Sequence, residues 1–330
     1  MKKLALLMLL ALELAFTCGI SQAEKIRAAN GGFGTAINAI LPAAYHKRIF
    51  QKYGLDAEYI ALESGTIGMQ TLLANEIQVL FTTGALAVTS NLQGGDATII
   101  AGGINFFPFK LVVRPEIKTV ADLQGKKLAV SRFGSASDYA AQLAMDKLGG
   151  DPKQVTMLQL GGNPSRLGAM STGAVQGTVF SEPFATVAIK QGMRSLLDLA
   201  DSGVPFPQNC FIVKRSFLAE RRSVVLNAMK ASIEALYLLR RDRGVAREVL
   251  KRYLRIDDDQ MLDIGYDYYL SKHGENILVL PDRKGLEYVI ADAAKTNPKA
   301  KGQTPESLKL LDSSVLDEIK KSGFIEKVKG

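Results

Sequence analysis

From residue 25 to about 203, short apolar runs alternate with amphipathic stretches. Residues 25–29, 57–62 and 78–81 read as strands, with helical patterns over 36–52 and 66–74 between them. The order then repeats: strands at 127–131, 155–160 and 177–180, and helices at 138–147 and 165–171. A further helix follows the third strand of each set. Alternating strands and helices imply parallel strands joined by crossover connections.

The two sets match residue by residue. Phe33-Gly34-Thr35-Ala36 corresponds to Phe133-Gly134-Ser135-Ala136 at an offset of 100. The offset then becomes 98 and holds without a gap: Met69 with Leu167, Ile77 with Val175, Gln78 with Gln176, Thr83 with Ser181, Gly94 with Gly192. A period this long marks a duplicated α/β unit rather than a solenoid repeat. Residues 97–115 carry two apolar runs, 99–101 and 110–113, which read as strands on either side of a crossing. Pro205-Phe206-Pro207 then leads into an apolar run at 210–213, read as the chain returning to the first unit. Two crossings make a hinge. The expected units are therefore 24–108 with 206–330, and 109–205.

The rest of the chain reads as helical and is assigned to the first unit. Val224, Val225, Met229, Ile233, Leu236 and Leu239 recur at helical spacing within 216–254. Thr304-Pro305-Glu306 carries the signature of a helix start: a cap, a proline and an acid.

Residues 1–23 read as an address. Lys2-Lys3 precede an apolar run over 4–12, and Ser21-Gln22-Ala23 offers a small-residue cleavage site. The run is too short to span a bilayer. Cys18 follows Thr17, where lipoprotein signals place a smaller residue, so no lipid anchor is expected. Cys210 then remains as a lone cysteine in an apolar segment, where a buried packing role is expected. The net charge of +8 comes from dispersed basic residues, as in Arg240-Arg241-Asp242-Arg243. No basic run interleaves with aromatics, so nucleic acid is not an expected partner. The positive field favours an anionic ligand.

In parallel α/β sheets, ligands bind beyond the carboxyl ends of the strands. The loops there share one chemistry. In the first unit they place Gly32, Phe33 and Thr35, then Ser64 and Thr66, then Thr83. In the second they place Arg132, Ser135 and Ser137, then Asn163, then Glu182. N–H groups at helix starts, with Ser and Thr hydroxyls and the Arg132 charge, suit a carboxylate, sulfonate or phosphate. Phe107, near the hinge, is a candidate floor for an organic ligand.

The pattern resembles the substrate-binding proteins of nitrate, sulfonate and taurine ABC importers, a family that includes binders of thiamine precursors. The resemblance runs from about Ala28 to Gly203. It is carried by Gly54-Leu55-Asp56-Ala57-Glu58, by Asp122-Leu123-Gln124-Gly125-Lys126-Lys127-Leu128-Ala129-Val130 followed by Gly134-Ser135, and by Glu182-Pro183-Phe184. It implies a type II Venus-flytrap fold: two α/β lobes with C-terminal helices. It also implies a periplasmic or surface location and docking on a membrane permease; a periplasmic monomer with a small-molecule ligand and no cofactor is expected. Phe33, Thr35, Ser64, Thr83, Ser135 and Glu182 inherit ligand contact from the resemblance. Glutamine at Gln78 and Gln176 replaces the acid that relatives often carry before the third strand.

Two rival readings fare worse. A pyrimidine-synthesis enzyme of related fold needs a cysteine-rich iron site, which this chain does not encode. No zinc, nucleophile-elbow or phosphate-loop motif is present, and His46 and His273 lie far apart in sequence. Neither a catalytic nor a metal-ligating residue is therefore assigned. Gly32-x-Gly34 suggests a dinucleotide loop, but Ile37 occupies the third glycine position. Transport and sensing remain open, as do sulfonate, carboxylate and pyrimidine ligands.

Overall fold

The structure, a computed structural model, describes residues 23–330; the expected leader and Cys18 lie outside the described residues. Two five-stranded sheets organise the chain. The first runs in the order β2 (Leu55–Leu62), β1 (Glu24–Gly31), β3 (Val79–Thr82), β10 (Gln208–Lys214), β4 (Ala97–Ile104). The second runs β7 (Thr156–Gln159), β6 (Lys127–Val130), β8 (Gly177–Phe180), β5 (Lys110–Val113), β9 (Arg194–Asp198). In each, the first three strands are parallel and the fourth is antiparallel to its neighbours. The half built on the first sheet is called lobe one here, the other lobe two.

Residue choice explains the layering. Central strands β3 and β8 are buried along their whole length; β3 reads as the apolar run Val79-Leu80-Phe81, and β8 places a buried Thr178 beside Val179 and Phe180. Edge strand β2 is only partly buried. In lobe one the crossovers are α1 (Ile40–His46), α2 (Ile49–Lys52), α3 (Gly65–Leu73) and α4 (Ala85–Leu92). In lobe two they are α5 (Ala136–Lys147), α6 (Asn163–Ser171) and α7 (Phe184–Lys190).

The duplication is visible in hydrogen bonds. Gln78 Oε1 accepts from the Arg27 N–H (2.8 Å), and its amide donates to the Asn75 carbonyl (3.2 Å). Gln176 Oε1 accepts from the Lys127 N–H (3.1 Å), and its amide donates to the Gly173 carbonyl (3.1 Å). A glutamine satisfies both groups at once, whereas an ionised acid has only acceptors. Asn75 and Gly173, in the turns before them, both have positive φ.

The chain passes between the sheets twice, through residues 105–109 and 199–207. Phe107 and Phe206, one from each crossing, stack at 3.9 Å between centroids. Phe107 is fully buried at this crossing and is not among the residues that line the space between the lobes.

The C-terminal region packs on lobe one. It comprises α8 (Arg215–Glu220), α9 (Arg222–Arg241), α10 (Arg243–Leu254), α11 (Asp259–Gly265), α12 (Arg283–Ala293), α13 (Ser314–Lys321) and α14 (Phe324–Lys329). The 216–254 pattern is split at Arg221 and at Asp242, whose carboxylate caps α10 through the Val245 N–H (3.0 Å). Val225, Met229, Ile233, Leu236 and Leu239 form the buried stripe of α9, which lies against α1 and α2.

The expected helix at Thr304 does not form. Thr304 Oγ1 does cap the Ser307 N–H (3.2 Å), but the turn stops where Lys309 takes φ +51. The competing partner is the free edge of β4: Ile99 N–H donates to the Leu310 carbonyl (2.8 Å), and Asp312 N–H to that of Ile99 (3.0 Å). Satisfying that edge outweighs extending an exposed helix by a turn.

Cys210 is fully buried in β10, and burial pushes its thiol up to about 12. That matches its expected packing role. No helix among the described residues is long and apolar enough to cross a membrane.

Candidate functional site

The loops at the strand ends converge on a narrow cavity of about 40 Å³ between the lobes. Lobe one contributes Gly32, Phe33, Thr35, Asn38, Glu63 and Thr83. Lobe two contributes Ser131, Ser137, Asn163 and Arg166, while Phe109, Gln208 and Asn209 line it from beside the two crossings.

The lobes touch directly around this space. Thr35 Oγ1 and Ser181 Oγ lie 3.0 Å apart. The N–H groups at the start of α6 are already engaged by lobe one: Gly162 N–H donates to Glu63 Oε2 (2.8 Å) and Asn163 N–H to the Phe33 carbonyl (3.1 Å). Asn163 Nδ2 donates to the Gly34 carbonyl (3.0 Å) and to Ser181 Oγ (3.0 Å). The helix start expected to receive a ligand anion thus holds the Glu63 carboxylate. Gly34 makes this closeness possible. Its φ is +102, and a Cβ there would lie 2.8 Å from the Asn163 Cβ.

Arg166 is the charged feature of lobe two's wall. It is 3% exposed, and its Nε–H donates to the Gly161 carbonyl (3.1 Å). Nη1 donates to Thr178 Oγ1 (3.0 Å) and to the Val179 carbonyl, and Nη2 to Asn163 Oδ1. These bonds account for four of its five N–H donors. Every partner is neutral. Burial alone lowers the guanidinium to about 9, with no acid opposing it. A buried cation whose bonds run only to dipoles is a strong attractor for an anion.

The two serines expected at the second lobe, Ser135 and Ser137, form a ring with Ser131, which was not expected. Ser131 Oγ lies 2.9 Å from Ser135 Oγ and 3.0 Å from Ser137 Oγ, and the latter two lie 3.0 Å apart. Ser131 and Ser137 line the cavity, and Ser135 stands behind them.

Six sequence-derived candidates meet at the cavity: Gly32, Phe33, Thr35, Thr83, Ser137 and Asn163. The other six lie elsewhere. Ser64 is buried and caps α3 through the Ile67 N–H (3.2 Å). Thr66 donates to the Phe133 carbonyl across the lobes (3.1 Å). Phe107 packs the hinge, as described, and Phe109 takes the wall position. Ser135 belongs to the ring. Glu182 pairs with Lys110 (2.8 Å). Burial works against that lysine's charge, but Glu182 and Asp198 together hold it above its ordinary value. Arg132 is exposed, on a loop turned to solvent; the cation on the wall is Arg166 instead.

The sequence pattern did not single out Arg166, Asn38, Ser131, Gln208 or Asn209. One signal was present. A cation in the first turn of a helix opposes the helix dipole, so Arg166 behind Asn163-Pro164 needed a reason to be there.

Two α/β lobes joined by two crossings and closing on a buried polar cavity define a solute-binding-protein fold. Solved structures share it. The alkanesulfonate-binding protein SsuA of Xanthomonas axonopodis pv. citri superposes with a TM-score of 0.67 at 17% identity, covering 83% of this chain and 93% of its own. The periplasmic nitrate-binding protein NrtA of Synechocystis PCC 6803 superposes with a TM-score of 0.70 at 12% identity, covering 91% and 89%. A binding protein of Brucella abortus (strain 2308) is 26% identical over 259 residues, 75% of this chain and 78% of the relative. The chain belongs to the NMT1/THI5 like family, whose model matches residues 38–241. These three relatives are named as binding proteins.

Proposed function

We propose that this protein is the extracytoplasmic solute-binding component of an ABC importer. It captures a small organic anion, sulfonate- or carboxylate-like, between its lobes and delivers it to a membrane permease. One observation carries the ligand class: Arg166 is a buried cation on the cavity wall, bonded only to neutral groups. An anion entering the cavity supplies a counter-charge that none of the guanidinium's own hydrogen-bond partners carries. The ligands named for the two solved relatives, an alkanesulfonate and nitrate, support an anion.

Closure follows from the same geometry. A ligand held by one lobe gains contacts with the other only when the cleft shuts, so binding and closing are one equilibrium. The direct contacts at Thr35–Ser181 and Asn163–Gly34 add to the closed state.

A thermal-shift screen of residues 24–330 tests the proposal. The panel holds alkyl and aryl sulfonates, carboxylates, nitrate, neutral pyrimidines and amino acids. A ligand at about a hundred times its Kd adds roughly 2.7 kcal/mol, which for a protein of this size is a shift of several degrees. Shifts confined to anions support the reading. A shift only with neutral pyrimidines sinks the anion assignment.

A further inference from the structure

We infer that Asn209, with Gln208 beside it, makes the site select anions that also present an N–H or O–H donor to lobe one. The inference rests on the binding reading above and adds a second requirement to it. Both side chains line the cavity and are at least nine-tenths buried. Asn209 Oδ1 and Gln208 Oε1 are buried oxygens with no hydrogen-bond partner. Among the described residues five side-chain atoms share that condition, and two of them belong to residues that line this one space. Buried polar groups are nearly always satisfied, so each such exception calls for a partner.

The direction of the Asn209 amide is fixed by a relay. The Gly32 carbonyl can only accept, and Asn38 Nδ2 donates to it (2.8 Å). Asn38 Oδ1 therefore faces Asn209 and accepts from Asn209 Nδ2 (3.2 Å). The Asn209 oxygen is left as the free end, and turning the amide over would set two oxygens against each other at Asn38. The backbone is arranged for this placement. Asn209 takes φ +59, a region that asparagine tolerates better than most residues. Opposite it, Gly102 has no Cβ to strike the Asn209 carbonyl, which would lie 2.5 Å away.

The ligand that satisfies both walls therefore has an anionic head toward Arg166 and a donor toward Asn209 and Gln208. A donor-free anion leaves the Asn209 oxygen, whose direction is fixed, without a partner. A site built around fixed acceptors rejects an isostere that has no donor to offer.

The test measures calorimetric affinities for matched pairs: 2-hydroxyethanesulfonate against propanesulfonate, and 3-hydroxypropanoate against butanoate. The neutral sulfonamide of the first compound is a fifth probe. Wild type is expected to prefer the hydroxyl member of each pair by roughly tenfold to a hundredfold. Asn209→Gly keeps the positive φ and removes the acceptor, and Gln208→Met removes the second acceptor at similar length. Either variant is expected to shrink the preference, and the two together to bring it within threefold, chiefly by weakening the hydroxyl ligands. Equal wild-type affinity within the pairs overturns the inference, as does a preference that survives in both variants. Failure of every probe to bind overturns it too. Equal binding of sulfonate and sulfonamide, with the hydroxyl preference kept, refutes the anion reading and supports the donor requirement.

Discussion

Replacing Arg166 with methionine separates a ligand-binding cation from a structural strut. The substitution removes four hydrogen bonds within lobe two, to Gly161, Thr178, Val179 and Asn163. At a net 1–1.5 kcal/mol each, that costs about 4–6 kcal/mol. It also removes a cation whose burial lowers it from 12.5 to about 9, a penalty of about 5 kcal/mol on the charged form at neutral pH. The two effects oppose each other and are similar in size. The ligand-free variant is therefore expected to lie within about 2 kcal/mol of wild type in urea unfolding. Binding has no such compensation. Truncating one side of a buried charge pair costs about 2–5 kcal/mol, or roughly thirtyfold to a few thousandfold in Kd. Calorimetry with the best anion from the screen reads this loss. A Kd within threefold of wild type, with more than about 5 kcal/mol of stability lost, would falsify the assignment and make Arg166 a strut.

The same buried cation predicts a pH effect. The folded state disfavours the charged guanidinium, so its penalty is complete below about 9 and fades as pH rises toward 12.5. Wild type should gain stability relative to Arg166→Met over that range; parallel curves contradict the stated cause. Asp138 is a buried acid with a raised pKa, mainly through desolvation, although the Gly134 N–H opposes the shift. Its charge costs stability above its folded pKa and not once it is protonated. Asp138→Asn should therefore be more stable than wild type at pH 7, and the advantage should disappear on acidification. Gly34→Ala puts a methyl group against Asn163 and forces alanine into a left-handed backbone. X-ray scattering should show less ligand-induced compaction, with at least about tenfold weaker affinity; wild-type compaction would mean the lobes close without that contact. The Cys210 thiol, buried and held near 12, should ignore aromatic disulfide reagents until the chain is unfolded. Fast labelling of native protein would show that β10 opens readily.

Among the described residues one of the ten strands, β9, a partly exposed edge strand of sequence Arg194-Ser195-Leu196-Leu197-Asp198, was not expected; the other nine were legible from apolar runs and from a constant offset that aligned two copies. Gln78 and Gln176 show why that signal is physical: each answers the same backbone N–H of its lobe's first strand. The cavity was half legible. Gly32, Thr35 and Asn163 sit where strand ends must place them. Gln208 and Asn209 reach the site through the antiparallel register of a strand that returns from about 100 residues downstream, which local pattern does not encode. Arg132 attracted attention as a charge in the right loop, yet loop membership says nothing of which way a side chain turns. Thr304 carried a sound helix cap, and the unpaired edge of β4 settled the outcome.

The insertion of β10 between β3 and β4 sets an order of assembly. The second sheet draws all its strands from one continuous stretch, residues 110–198, and can form as soon as that stretch is available. The first cannot. Until residues 208–214 arrive, β3 and β4 each present a bare edge where a single strand will later bind both. A chain interrupted just short of Gln208 would hold one finished half and one half with two adhesive borders, a ready template for pairing with other chains. The last strand to join the older lobe is also the one that carries Asn209. The ligand-reading wall is therefore completed by the same event that closes the sheet, and no partly assembled form can offer a finished site.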